Sequence, residues 1–63
     1  MKIEDVIFNL IKKENETNGM VYEPKILKMA TLLNIHPDKY EKIKERLIEA
    51  GKIEKNGLKL VLP

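Results

Sequence analysis

The sequence contains no cysteine, which excludes disulfides and thiolate metal sites. It contains no serine either, and its one histidine, His36, has no partner at the spacing of a metal site. The three glycines are well separated, so no phosphate-binding glycine loop is present. We therefore expect a protein that is not an enzyme and that uses no cofactor, no metal and no small-molecule substrate.

Long apolar runs are also absent. None approaches the roughly 18 residues of a membrane span, and Lys2, Glu4 and Asp5 interrupt the apolar residues that follow Met1. We expect neither a membrane segment nor a signal peptide. The lack of cysteine suits a reducing compartment. Together these features predict a cytoplasmic protein.

Charge of one sign is hardly in excess. Twelve basic and ten acidic residues give a formal net charge of +2, whereas nucleic-acid-binding domains are often more strongly basic. Lysine, glutamate and isoleucine are abundant, as is typical of hyperthermophile proteins. The length of 63 residues predicts one domain over 1–63. A chain of this size buries only roughly 60% of its unfolded surface and has no room for a deep active-site cleft.

Apolar residues at helical spacing predict three helices. In the first, Ile3, Val6, Ile7, Leu10 and Ile11 form one stripe. Prolines suit the first turns of the other two helices, and Gly51 suits the left-handed residue that ends the third. The stretch 15–19 has turn composition. The predicted helices span about 2–14, 24–33 and 37–50.

β-prone residues predict strands at about 20–22, 52–55 and 58–62. Asn56-Gly57 is a favoured type I′ turn pair. This turn would place Ile53 opposite Leu60 on a buried face and Lys55 opposite Leu58. On the other face, Glu54 and Lys59 would form a pair of opposite charge.

The stretch from Ile26 to Ile43 predicts two helices around a tight bend. In the first helix, one face would carry residues at i, i+3, i+4 and i+7, which are Ile26, Met29, Ala30 and Leu33. The small Ala30 suits a place where two helices cross closely. Asn34 tolerates the left-handed conformation of the bend. Ile35 follows as an apolar plug, and Tyr40 and Ile43 begin the inward stripe that continues through Leu47 and Ala50. This order resembles a helix-turn-helix.

With its flanking segments, the chain resembles the winged-helix (winged helix-turn-helix) family over nearly its whole length. Leu47, Gly51 and Ile53 match the family's junction between recognition helix and wing. The resemblance implies an α+β fold that is mainly α, with three helices, a short strand beside the wing, and a C-terminal β-hairpin wing. The segment from Asp38 to Val61 is also similar to the winged-helix tail of archaeal replicative helicases.

The family resemblance implies a non-enzymatic double-stranded DNA-binding protein, a small transcriptional regulator. Helix 37–50 would lie in the major groove, and the wing 52–62 would lie on the backbone. Lysines there would mainly anchor phosphates, which gives affinity without sequence information. The implied DNA contacts are Lys25, His36, Lys39, Lys42, Arg46, Lys55, Asn56 and Lys59.

Acidic residues on the same helix favour an alternative. Glu41, Glu45 and Glu49 recur every four residues, and Asp38 adds to their face. Like charges at this spacing are mildly destabilising, and they would repel phosphates. The alternative is a protein-interaction module that dimerises or docks in a replication or transcription assembly. It would use this acidic face and the apolar residues outside the core stripes, although Phe8 also fits a flank of the core. These apolar residues are Phe8, Ile48 and Val61. A third possibility is a structural module within a larger assembly.

Overall fold

The computed structural model describes residues 2–63. This part of the chain forms three helices and three strands in the order helix, strand, helix, helix, strand, strand. The strands form one antiparallel sheet in the order β1-β3-β2. The predicted α+β class with mainly helical content is confirmed. No helix within 2–63 is long and apolar enough to cross a membrane. The elements are α1 Ile3–Asn18, β1 Val21–Tyr22, α2 Glu23–Leu32, α3 Pro37–Glu49, β2 Glu54–Asn56 and β3 Lys59–Val61.

Helix α1 continues to Asn18, so the predicted turn at 15–19 is wrong except at its last residue, Gly19, where φ is 80°. The side-chain amide of Asn15 explains the extension. It donates hydrogen bonds to the carbonyls of Ile11 and Leu60 at 2.8 and 3.2 Å. Its oxygen accepts the Leu62 N–H at 3.2 Å. These contacts with the β3 segment hold in a helix residues whose local preference favours a turn.

Helices α2 and α3 end in the same backbone motif. After α2, Asn34 has a φ of 63°, and the N–H groups of Asn34 and Ile35 donate to carbonyls of the last helical turn at 3.0 and 2.9 Å. After α3, Gly51 has a φ of 73°, and Gly51 and Lys52 make the equivalent bonds at 3.0 Å each. This Schellman pattern satisfies the final carbonyls and reverses the chain. The predicted left-handed conformations at Asn34 and Gly51 are confirmed.

The hairpin forms, but its turn lies one residue later than predicted. Asn56 pairs with Lys59, so Gly57 and Leu58 are the loop and the predicted pairing of Lys55 with Leu58 is wrong. Gly57 has a φ of 62°, whereas Leu58 is not among the residues of positive φ. Glycine with positive φ at the first central position alone is the pattern of a type II′ turn.

The later turn moves each residue's partner by two positions, so no side chain changes face. Ile53 and Leu60 are both buried, as predicted. Leu60 lies opposite Lys55, so the predicted pairing of Ile53 with Leu60 is wrong. Glu54, however, lies opposite Val61, and Lys59 lies between Asn56 and Tyr22. The predicted cross-strand pair of Glu54 with Lys59 is therefore wrong.

All three helices contribute buried apolar side chains to one core. The predicted stripes reach into it, but Ile3, Leu33 and Ala50 at their ends are exposed. Lys44 is an unexpected buried residue. It is only 7% exposed, whereas lysine is rarely buried without a partner. The core residues are Ile7, Ile11, Val21, Ile26, Ala30, Ile35, Tyr40, Ile43, Leu47, Ile53 and Leu60.

Candidate functional site

Helix α3 presents chemically different sides. At about 100° per residue, its exposed surface divides into a flank towards α1, a crest and a flank towards α2. Lys39 and Arg46 lie on the α1 flank, where they face the start of α1. The crest carries Lys42 together with acidic side chains. Because Lys42 lies on the edge of the crest next to the α1 flank, Lys39, Lys42 and Arg46 follow one strip along the helix, which we call the basic strip. The acidic residues of the crest are Asp38, Glu45 and Glu49.

A cleft of about 250 Å³ lies between the start of α1 and the basic strip. Lys2, Lys39 and Arg46 line it together with Glu4, above the aliphatic side chains of Ile3 and Ile43. Within the described residues, none of these three cations forms an ion pair. We call this feature the basic cleft.

On the opposite side of α3, charged groups are paired and partly buried. The Lys44 Nζ lies 2.8 Å from Glu23 Oε2 and 3.0 Å from Glu41 Oε1. The Tyr40 hydroxyl donates to Glu23 Oε2 at 3.2 Å, and the Lys55 Nζ lies 3.5 Å from Glu23 Oε1. We call these five residues the Glu23 cluster. Because Glu23 begins α2 and Lys55 lies on β2, the cluster joins α2, α3 and the sheet.

Titration in the Glu23 cluster follows from these contacts. Burial opposes the ionisation of Glu23, but Lys44, Lys55 and the Tyr40 hydroxyl outweigh it and hold the pKa of Glu23 below its ordinary 4.5. Burial also opposes the charge of Lys44, yet Glu23 and Glu41 raise the pKa of Lys44. Burial and then the negative charge of Glu23 raise the pKa of Tyr40, so its hydroxyl remains a donor. The cluster is therefore satisfied internally and acts as a structural element.

Two of the implied DNA contacts are held in ion pairs away from the basic cleft. The Lys25 Nζ lies 2.7 Å from Glu14 Oε1, and this hydrogen bond is the main cause that lowers the pKa of Glu14. Lys55 pairs in register with the buried Leu60 and so lies on the core-facing side of the hairpin. From there its charge reaches Glu23, and neither lysine lines the cleft.

His36 occupies the N-cap of α3. Its Nδ1 accepts the Asp38 N–H at 3.2 Å, which needs that nitrogen unprotonated. The same nitrogen lies 3.7 Å from the Asp38 carboxylate. Serine, threonine, aspartate and asparagine are the usual N-caps, so the residue type gave no signal of this role. His36 thus helps to begin the helix that bears the basic strip.

The two remaining implied contacts lie on the outer face of the sheet. Asn56 and Lys59 are register partners, and Tyr22 lies on the other side of Lys59. All three are exposed. They form a row across the sheet that is separate from the basic cleft. The implied DNA contacts are therefore divided among the basic strip, two ion pairs, a helix cap and this outer row.

Lys2 is a cleft residue that sequence reasoning missed. It lies at the N-cap of α1, where the sequence shows no sign of a binding role. No spacing in the sequence relates it to Lys39 or Arg46. Only the packing of α1 against α3 brings the three together. Lys44 was also missed, but a signal existed, because position 44 falls between Tyr40 and Leu47 on the inward stripe.

The residues predicted for docking differ in exposure. Phe8 is half-buried against the core, with the Lys52 Nζ 5.8 Å from its ring centroid, which agrees with a flank of the core. Val61 is half-buried, and Ile48 is 37% exposed.

More apolar surface is exposed elsewhere, in a depression of about 240 Å³ between α1 and the end of α2. We call this depression the apolar groove. Leu32 and Leu33 in it are 74% and 53% exposed. The lining residues are Leu10, Met29, Leu32 and Leu33.

No protein-family model, curated protein or solved structure matches the chain. Within residues 2–63, no three histidine, aspartate or glutamate side chains come together as a metal site. Function is therefore inferred from the chain's own surfaces, of which the basic strip with its cleft and the apolar groove differ most in chemistry.

Proposed function

We propose that the chain is a winged-helix protein that binds double-stranded DNA without catalysis, as a small cytoplasmic regulator of transcription. In this proposal α3 enters the major groove and the β2–β3 hairpin lies along the backbone. The observation that carries it is the basic strip, whose cations Lys39, Lys42 and Arg46 form no ion pair among residues 2–63. Unpaired cations along one exposed strip of a helix attract the phosphates of a nucleic-acid backbone.

The arrangement of elements supports the winged-helix assignment. Two helices, α2 and α3, are joined by a tight bend at Asn34, and a hairpin follows the second of them. The short strand β1 lies beside β3, as the family resemblance implies. In the proposed complex, the exposed side of α3 and the hairpin would both contact the duplex.

The acidic residues of α3 oppose this proposal less than the sequence alone suggests. Glu41 is partly neutralised by Lys44, because a Glu41 carboxylate oxygen lies 3.0 Å from the Lys44 Nζ, which also pairs with Glu23. Asp38, Glu45 and Glu49 remain on the crest and would repel phosphates. We therefore expect Lys39 and Arg46, which lie beside the crest on the α1 flank, to approach the backbone most closely, and we expect binding to be weak at high salt.

The test is a titration of labelled, random-sequence duplex DNA at about 50 and 200 mM salt. Three phosphate contacts predict a slope of about −2.7 for log affinity against log salt, or about a 40-fold loss over this range. The variant Lys39→Glu with Lys42→Glu should weaken binding at least tenfold. No binding by the wild type at low salt would overturn the proposal.

A matched control separates the basic strip from net charge. Lys12→Glu with Lys28→Glu changes the charge equally, at exposed positions of α1 and α2. It should leave most of the affinity. Equal losses in the two double variants would mean that binding depends on total charge and not on α3. Far-ultraviolet circular dichroism would verify that both variants fold.

Protein docking is a second candidate function, favoured by the apolar groove. Leu32 and Leu33 are large apolar residues exposed side by side at the end of α2. If the groove pairs two copies of the chain, Leu32→Glu should convert a dimer into a monomer in sedimentation experiments. A wild-type chain that sediments as a monomer at all concentrations would exclude the homodimer.

A further inference from the structure

We propose that the basic cleft is a phosphate-binding site in which Lys2, Lys39 and Arg46 hold one phosphate group of a nucleic-acid backbone. This inference rests on the proposed function, because it names the group of the partner that two helices grip together. It assigns a binding role to Lys2 and an opposing role to Glu4.

The shape of the basic cleft suits an oxyanion at its rim. Ile43 is buried, and with Ile3 it lines the cleft with aliphatic groups. The three cations stand around them. A lysine offers three N–H donors and an arginine five, and no side-chain hydrogen bond within 2–63 uses those of Lys2, Lys39 or Arg46. Such donors form strong, charge-assisted hydrogen bonds with phosphate oxygens.

The cleft brings together cations that form no ion pair within residues 2–63, in contrast to three paired lysines elsewhere. Lys25, Lys44 and Lys55 each have a carboxylate within ion-pair distance. The cleft has three cationic side chains and one carboxylate, and Glu4 pairs with none of them. Converging like charges repel one another unless an anion lies between them. A phosphate at this position would supply that anion.

A phosphate between α1 and α3 would also position the proposed recognition helix. Phosphate contacts fix the register and orientation of a protein on a duplex, whereas base contacts give specificity. Lys2 lies at the start of α1, so a phosphate shared by Lys2 and Arg46 would be gripped from both sides of the cleft. Rotation of α3 about its own axis in the groove would then be restricted.

Two substitutions at the start of α1 test the cleft without altering α3. Lys2→Ala should weaken binding of labelled duplex DNA about three- to tenfold and reduce the salt slope by about one. Glu4→Gln should strengthen binding, because it removes the opposing carboxylate from the cleft. Lys12→Ala, an exposed lysine farther along α1, is the matched control and should bind like the wild type.

A second probe is inorganic phosphate, titrated into the isotope-labelled chain and followed by amide chemical shifts. Shifts concentrated at Lys2, Ile3, Lys39 and Arg46, with opposite effects of Lys2→Ala and Glu4→Gln on duplex affinity, would support the proposal. Duplex binding that Lys2→Ala leaves unchanged would overturn the cleft and leave the basic strip standing.

The remaining outcomes separate this inference from the proposed function. Phosphate-dependent shifts in the cleft without duplex binding at low salt would overturn the nucleic-acid partner and retain a site for a small anion. Uniform small shifts along the whole chain, together with no duplex binding, would overturn both.

Discussion

Lys39 and Lys44 lie on the same helix in opposite surroundings. Lys44 is 7% exposed and touches two carboxylates, at 2.8 and 3.0 Å. Lys39 is exposed, lines an open cleft and forms no ion pair within the described chain. The net charge of +2 does not reveal this difference. Glu23 and Glu41 pair with Lys44, whereas Lys39, on the other flank of α3, has no such partner among residues 2–63.

The two lysines therefore have different energetic roles. Breaking a buried ion pair by removing one partner costs about 3–5 kcal/mol, because the other charge stays buried. Removing an unpaired surface lysine usually changes stability by less than about 0.5 kcal/mol. The Lys44 side of α3 therefore stabilises the fold, whereas the Lys39 side contributes little to stability and is the side that the proposed function assigns to DNA binding.

The largest expected effect comes from Lys44→Met. Glu23 would keep only Lys55 and the Tyr40 hydroxyl as partners, and its side chain is only 15% exposed. We expect a loss of about 3 kcal/mol in the free energy of unfolding, measured by urea denaturation. Lys42→Met on the crest is the matched control and should cost about 0.5 kcal/mol or less. Equal losses would erase the distinction between the two sides of the helix.

A smaller effect on the free energy of unfolding is expected when Glu23 is protonated in acid. Its folded-state pKa lies below the ordinary 4.5 that the unfolded chain shows, so on acidification the unfolded state binds protons first. The stabilisation is complete above pH 4.5 and is lost as the pH falls through the folded-state pKa. Glu23→Gln should lower stability at pH 7 and flatten its decline in acid.

The control for the acid experiment is Glu16→Gln, at an exposed position of α1. It should keep the wild-type slope of unfolding free energy against pH. If Glu23→Gln and Glu16→Gln have the same acid profile, the Glu23 cluster does not stabilise the fold through ionisation.

The smallest expected effect on stability is that of Lys55→Ala. Its Nζ is 3.5 Å from Glu23, and its side chain is 35% exposed, so the pair contributes about 0.5 kcal/mol. Because Glu23 partly neutralises it, Lys55→Ala should reduce duplex affinity less than Lys39→Ala does. Fluorescence anisotropy with the same duplex would compare them. A larger loss for Lys55→Ala would move the centre of binding from the basic strip to the hairpin.

Local signals in the sequence predicted much of the backbone. Asn34 and Gly51 adopt the left-handed conformation that their residue types favour. The hairpin turn was misplaced for a physical reason, since both registers keep Ile53 and Leu60 on the core face. The hydrophobic pattern therefore could not choose between them. The extension of α1 depends on Asn15 contacts with β3, which no local pattern contains.

The candidate site was predictable to a similar extent. Helical spacing placed Lys39, Lys42 and Arg46 on one strip, because only the position along a single helix matters for that relation. Lys2 joins them through tertiary packing, which periodicity does not describe. The pairing of Lys25 and Lys55 with acids of other elements likewise depends on three-dimensional neighbours. The number of lysines and arginines in the sequence is thus an upper limit on the number of cations that are available to a ligand.

The Asn15 side chain has a consequence for the order of folding. Its bonds to Leu60 and Leu62 join residues 45 and 47 positions apart. Closing such long loops costs chain entropy before any contact stabilises them, and contacts of this kind slow folding. The early turns of α1 need only their own hydrogen bonds and nearby packing. Its last turn, by contrast, gains the Asn15 bonds only when β3 is in place, so we expect this turn to reach its full stability late, with closure of the sheet.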